Sequence, residues 1–448
     1  MKRNPRRLAC WSCTVATVLA LPAIAATPPL SPQIPFDVTV VPPVSLQSLQ
    51  HDFDVLSWQT FVAINWPALA NGTPDSDAQI GKPDAPTVWE SWRESYQIFL
   101  PNGQTPAGWN QPSPPPAACQ GLKSGRVLQQ VGKVPDVLDE FIQPFKTGPL
   151  VDQSGQYARN EIVVNEAMFD GIVDNGLYSV EGQQKFFSTN AQNRVAFSCG
   201  SNQTQQVGSI MVKASWKLLE GNDPQDQFHT VDALVYTPGN DDPDKGPIIP
   251  ESCTSAKVGL VGLHIVHKTA DAPQWVWSTF EHVRNVPEKT TPVNERKGPY
   301  LFYDPHASGR PVNEPPPRPW NPSVEATPSQ IVREIPIDTA TQQLNAQFQG
   351  ALQGTVWANY QLVSTQWPTN PANDCQVPSP TNPLGTPAPT FLANTTLETY
   401  IQGTTPQASS SCMECHNNAT TKVTQSPRTS FADFTYLLER AQSSGVKE

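Results

Sequence analysis

Near the end of the chain, Ser411-Cys412-Met413-Glu414-Cys415-His416 sets two thiols three residues apart, with an imidazole directly beside the second. The pattern is C-x-x-C-H, the spacing used for covalent attachment of a c-type haem. On a helix, thiols three residues apart lie one turn apart on the same face, so each can add to a vinyl group of one porphyrin. The adjoining imidazole then reaches the iron from the proximal side. Two other chemistries use such residues. A zinc site needs a second ligand pair, and no other cysteine pair or histidine lies within about thirty residues. A thioredoxin-like dithiol follows the first strand of a βαβ pattern, and none surrounds this pair. The spacing points to one haem c per chain, held by Cys412 and Cys415 with His416 as axial iron ligand.

Haem c is attached outside the cytoplasm, so the chain must carry an export signal. Residues 1–25 read as one. Lys2, Arg3, Arg6 and Arg7 form a basic lead, Leu8 to Ile24 is apolar, and Ala23-Ile24-Ala25 offers a small-x-small cleavage site. Ser12, Thr14, Thr17 and Pro22 interrupt the apolar run and favour cleavage over a membrane anchor. Arg6-Arg7 suggests the twin-arginine route, but attachment to an unfolded apoprotein fits the general secretory route better. No other stretch reaches the ~20 apolar residues that span a bilayer. The expectation is a periplasmic protein with no stable membrane anchor after signal cleavage.

The eight cysteines sort accordingly. Cys10 and Cys13 leave with the signal, and Cys412 and Cys415 hold the haem. Cys119, Cys199, Cys253 and Cys375 remain, an even set that implies two disulfides in an oxidising compartment, with three pairings open.

Net charge is −11 and only 15% of residues are charged, with no basic patch. This argues against nucleic acid as a partner and suits a soluble protein, with an acidic surface able to steer toward a basic periplasmic redox partner. Oligomeric state leaves no mark in the sequence. The 48 prolines break helices and stiffen loops, and twelve tryptophans supply bulk for a core. The fold class that follows is α+β: a mainly antiparallel β body, meander or sandwich-like, with short helices and Pro-rich loops, plus a small helical haem segment at the C-terminus.

The elements that must position the motif can be read from periodicity. Leu46, Leu49, Phe53, Leu56, Trp58, Phe61 and Ile64 predict a helix from Ser45 to Trp66, stopped by Pro67. Helical spacing also predicts helices at Thr87–Phe99 and Glu161–Tyr178. Period-two alternation predicts strands at Ser209–Leu218, Phe228–Thr237, Lys257–Lys268 and Gln274–Val283, with further strands at Tyr300–Tyr303 and Thr355–Trp367. A helix at Thr339–Leu352 is capped by Asp338 and closed by Gly354. Short helices are predicted at Thr395–Ile401 and Phe431–Gln442. The chain thus divides into residues 1–25 (signal), 26–367 (β-rich body), 368–390 (a Pro/Asn/Thr-rich linker) and 391–448 (haem segment).

In its C-x-x-C-H motif and the amphipathic helix expected after it, this last segment resembles the c-type cytochromes. The resemblance covers about residues 390–448. It implies covalent haem c, His416 as proximal ligand and one-electron transfer. A small cytochrome c also supplies a methionine as sixth ligand from well downstream of its histidine. Here 32 residues follow His416, none of them Met or His. Met413 lies inside the motif and cannot reach the distal side. Distal candidates are therefore Met168, Met211 and His264, followed by His267, His282 and His229. The distal face is otherwise open under the β body, and the chain is then a haem c-dependent oxidoreductase, peroxidase-like, or a gas-ligand sensor. For that case His264 or His282 with Glu281 would handle protons. Clustered Trp89, Trp92, Trp275 and Trp277 read as core.

Overall fold

The computed structural model describes residues 28–83, 85–122, 126–128, 144, 147–189, 194–237, 239, 243, 248, 250–307, 309–318, 320, 325–371, 375, 386–404, 410–423 and 430–445. The expected signal peptide, with Cys10 and Cys13, lies outside the described residues.

One nine-stranded sheet organises the body. Its strands are β1 (Arg93–Glu94), β2 (Arg126–Leu128), β3 (Arg159–Val164), β4 (Ile210–Leu218), β5 (Thr230–Thr237), β6 (Ser252–His267), β7 (Val276–His282), β8 (Tyr360–Pro368) and β9 (Pro387–Ala388). The main path runs β1-β3-β4-β6-β7-β8-β9 and every pairing along it is antiparallel. β2 is the exception, pairing parallel to β5. β5 pairs with the first half of β6 and β7 with the second, on the edge opposite β4. The meander expectation holds for β6-β7-β8. The described strands form a single sheet, and no second one faces it.

What covers the sheet instead is helices and loops, and period-two alternation sorts the strand residues between them. On one face Val163, Val212, Ala214, Leu263, Ile265, Phe280 and Leu362 pack with Trp58 and Phe61 of α1 (Leu46–Ile64) and Leu344 and Phe348 of α5 (Thr339–Ala351). On the other, Ile162, Val164, Met211, Val266 and Trp277 pack with Met168, Phe169 and Ile172 of α3 (Glu166–Asp174) and with the C-terminal segment. Ile98 of α2 (Ser95–Ile98) and Phe187 of α4 (Val180–Thr189) belong to this second cluster, and α6 (Cys412–His416) comes last in the chain.

Several elements match the sequence closely. In α1 Ser45 and Ser48 cap each other reciprocally, and the helix ends at Asn65, short of Pro67. In α5 the Asp338 carboxylate accepts the Ala340 N–H at 2.8 Å.

Others differ. Thr87–Phe99 is not one helix but a 3₁₀ turn (Trp89–Ser91), then β1, then α2, because residues 93–94 pair with β3. The Glu161–Tyr178 expectation splits into strand β3 and helix α3. β3 runs Arg-Asn-Glu and then Ile-Val-Val, so it shows no alternation to read. Tyr300–Tyr303 and residues 395–401 form neither strand nor helix. The last predicted helix shrinks to a 3₁₀ turn at Tyr436–Arg440, because Asp433 and Phe434 both take left-handed backbone angles.

Two disulfides resolve the pairing: Cys119–Cys253 and Cys199–Cys375. The second fastens Cys375, and the β8–β9 pairing fastens residues 387–388, so described parts of the 368–390 stretch are tied to the body.

Candidate functional site

The C-x-x-C-H residues form α6, which β8 holds through one side chain. The Gln366 amide Oε1 accepts the Met413 N–H at 2.8 Å, while its Nε2 donates to Pro389 O at 2.6 Å and to Ser411 Oγ at 3.2 Å. Gln366 thus stands in for a cap at a helix start that has none of its own. Between the two thiols Met413 is fully buried in the cluster containing Met211, Val266 and Trp277.

His416 is oriented by its proton. Its Nδ1 lies 2.7 Å from the carbonyl oxygen of Phe434. A carbonyl only accepts, so Nδ1 carries the hydrogen, and in the neutral ring the lone pair sits on Nε2. That tautomer is the one a haem-ligating histidine needs, with a backbone carbonyl fixing the ring and raising its basicity. The ring also lies against Trp277 (centroids 4.6 Å apart) and Tyr436 (5.3 Å). Tyr436 in turn donates its hydroxyl to Cys415 O at 2.8 Å, closing the C-terminal turn onto α6.

Cys412 and Cys415 are not bonded to each other. Burial pushes the Cys412 thiol well above its usual range, and the nearby Glu398 carboxylate and Cys415 push it further. A redox dithiol depends on a depressed thiol pKa, so this environment speaks against that chemistry. No three His, Cys, Asp or Glu side chains converge as metal ligands among the described residues. The donor set fits covalent haem: two thiols one helical turn apart and an imidazole with its lone pair on Nε2.

A second polar group borders the motif. His264 Nε2 lies 3.0 Å from both carboxylate oxygens of Glu398. Burial alone would raise the Glu398 carboxyl. The His264 imidazole, Lys213 and the Asn394 N–H together outweigh burial and hold it down to about 2. Lys213 faces His264 across the β4–β6 register. Glu398 arrives on the 391–402 loop, which lies directly on β6. A Cβ on Gly262 would come within 2.0 Å of Thr396 Oγ1.

The distal candidates are scattered. Met168 is buried in the apolar cluster on α3. Met211 Sδ lies 3.7 Å from the Thr435 hydroxyl, next to the carbonyl that backs His416, which puts it on the proximal side. His264 has Nε2 engaged by Glu398. His267, on the other face, is buried between Ile210 and Val276 in register. His282 Nε2 lies 3.0 Å from Gln227 O, and His229 Nε2 lies 2.7 Å from Glu90 Oε1. Nor does the anticipated His264–Glu281–His282 grouping assemble. Glu281 is spent on Arg333 (2.8 Å) and Thr395, and His282 points the other way, stacked on Phe228.

Sequence reasoning passed over Gln366, Glu398, Lys268 and Asp433. All four are polar residues whose significance lies in long-range partners, so no local spacing announced them. No known protein family, curated protein or solved structure matches the chain.

Proposed function

We propose that the chain is an exported, periplasmic mono-haem c-type cytochrome that transfers single electrons. Cys412 and Cys415 hold the haem and His416 is the proximal ligand. The observation that carries this reading is the His416 Nδ1–H on the Phe434 carbonyl, at the end of the helix that bears both thiols. Bound there, the haem would supply a one-electron ferric–ferrous couple. The chain's own residues do the rest: the Phe434 carbonyl orients the imidazole, and Trp277 and Tyr436 flank it. Two disulfides agree with an oxidising compartment. A net charge of −11 suits a redox partner that presents a basic surface.

A second reading has one observation in its favour. His264, His282 and His229 have ring nitrogens engaged elsewhere, and Met168 and Met211 are packed in apolar core. With His267 buried on the opposite face of the sheet, that leaves the distal side without an evident protein ligand among the described residues and favours a peroxidase-like oxidoreductase or a gas-ligand sensor.

Both readings are tested on protein matured in a periplasm with haem c assembly. Haem absorbance that survives denaturation and extraction, and is lost in Cys412→Ala/Cys415→Ala, supports covalent attachment; haem that washes out sinks both readings. A low-spin spectrum unmoved by CO then selects electron transfer, and a high-spin spectrum shifted by CO selects the open site.

A further inference from the structure

Six non-glycine residues have left-handed backbone angles among the described residues, and three of them meet at one place: Trp275 (φ 69°), Asp433 (φ 49°) and Phe434 (φ 65°). For bulky side chains such as Trp and Phe this region is unfavourable, and strain of that kind persists only where surrounding structure over-determines it. The surroundings here are explicit. The Asp433 carboxylate is ion-paired with Lys268, just past the end of β6, and both side chains are almost fully buried. The same carboxylate accepts the Phe197 N–H at 2.8 Å. The Asp433 carbonyl accepts the Trp275 indole N–H at 3.1 Å, and the Lys268 ammonium lies over the Trp275 ring, 5.5 Å from its centroid. The very next carbonyl, that of Phe434, receives the His416 Nδ1–H.

We infer that Lys268, Asp433 and Trp275 form a clamp through which the β body positions the proximal imidazole. They act through Phe434 by fixing a two-residue left-handed turn that would otherwise relax and swing its carbonyl off the ring. The firmer that carbonyl's hold on Nδ1–H, the more electron density His416 presents at Nε2 and the more a ferric iron is favoured. The body therefore sets the reduction potential of a haem attached to a different stretch of chain. This assigns part of the large preceding sequence a role that a bare carrier would not need. The inference rests on the haem reading above.

The test is the double variant Lys268→Met/Asp433→Asn, made in the haem-loaded full chain. Removing both charges avoids leaving one buried and unpaired, which is the damaging case, and Asn tolerates the left-handed angle. The readout is the one-electron potential from spectroelectrochemistry. We expect it to rise, by about a tenfold change in the ferric–ferrous equilibrium, equivalent to about 59 mV for one electron. Trp275→Phe removes the indole N–H with one ring of the indole but keeps an aromatic face for Lys268; it should shift the potential the same way by less, so it serves if the double variant fails to fold. Lys217→Met/Asp152→Asn removes another buried pair (2.8 Å) six residues along β4 from Met211, and should leave the potential alone. Wild-type protein that holds no haem overturns the functional reading and this inference with it. A haem-loaded wild type whose potential is unmoved by the double variant or by Trp275→Phe, or is moved equally by the Lys217/Asp152 control, overturns the clamp alone.

Discussion

His267 shows at the scale of one residue what a buried imidazole costs without a partner. Neither of its ring nitrogens has a hydrogen-bond partner among the described residues, and burial pushes its pKa down to about 3. In the unfolded chain the ring takes a proton near pH 6.5, so between about 6.5 and 3 the unfolded state binds more protons than the folded one. Stability contributed by this site therefore falls as pH drops through that window, by up to about 1.4 kcal/mol per pH unit. His267→Leu, similar in volume and apolar, removes both the unsatisfied nitrogens and the titration. We expect it to stabilise the protein by ~1 kcal/mol or more at neutral pH, with an advantage that widens on acidification. Urea melts of both proteins from pH 7 to 4 check this; a constant difference would mean that the ring is not neutral and buried as described. His416 had a sequence signature because its chemistry is local. His267 had none, because desolvation is a property of the packed neighbours.

Elements were legible where residue types alternated or a cap or breaker was local. The α1 helix announced itself by its apolar period and Pro67, α5 by Asp338 and Gly354, and β4, β5 and β7 by alternation. Other elements stayed hidden: β3 because Arg-Asn-Glu is followed by Ile-Val-Val and does not alternate, and the 391–402 loop because its conformation is fixed by long-range bonds. There Glu281 accepts from the Thr395 N–H at 2.6 Å, and Asn394 donates to Thr279 at 2.8 Å. The candidate site followed the same division. Cys412, Cys415 and His416 were readable from spacing alone, whereas Gln366, which seats their helix, lies 46 residues upstream of Cys412. Its role gives a prediction at this scale. Gln366→Leu strips the Met413 N–H and Ser411 of their partner in a buried setting and should cost ~1–3 kcal/mol. Hydrogen exchange should then quicken in residues 411–417 well before it does in β8. Unchanged protection there would show that the apolar contacts of Met413 suffice to hold the helix.

At the scale of the whole molecule the question is whether the C-terminal segment is a separate module, as its resemblance to a free-standing cytochrome implies. Its described apolar side chains argue otherwise. Met413, Phe434, Leu437 and Leu438 belong to the same buried cluster as Ile162, Met211, Val266 and Trp277 of the sheet. The bonds across the junction are buried too: Lys268 to Asp433, Gln366 to Met413, and the Gln183 amide donating to Leu438 O at 2.8 Å. Its described α-helix and 3₁₀ turn are five residues each, far below the length at which a helix is stable by itself. With so little internal structure among its described residues, the segment has no folded state to fall back on once it leaves the sheet. Peeling it away would also expose the underside of β4, β6 and β7 to water. The two parts should therefore unfold in one cooperative transition. In native-state hydrogen exchange, amides of residues 430–441 should open with the same free energy and denaturant dependence as those in the centres of β4 and β7. If residues 430–441 instead open at lower denaturant through a sub-global step, the segment is docked on the body and not built into it.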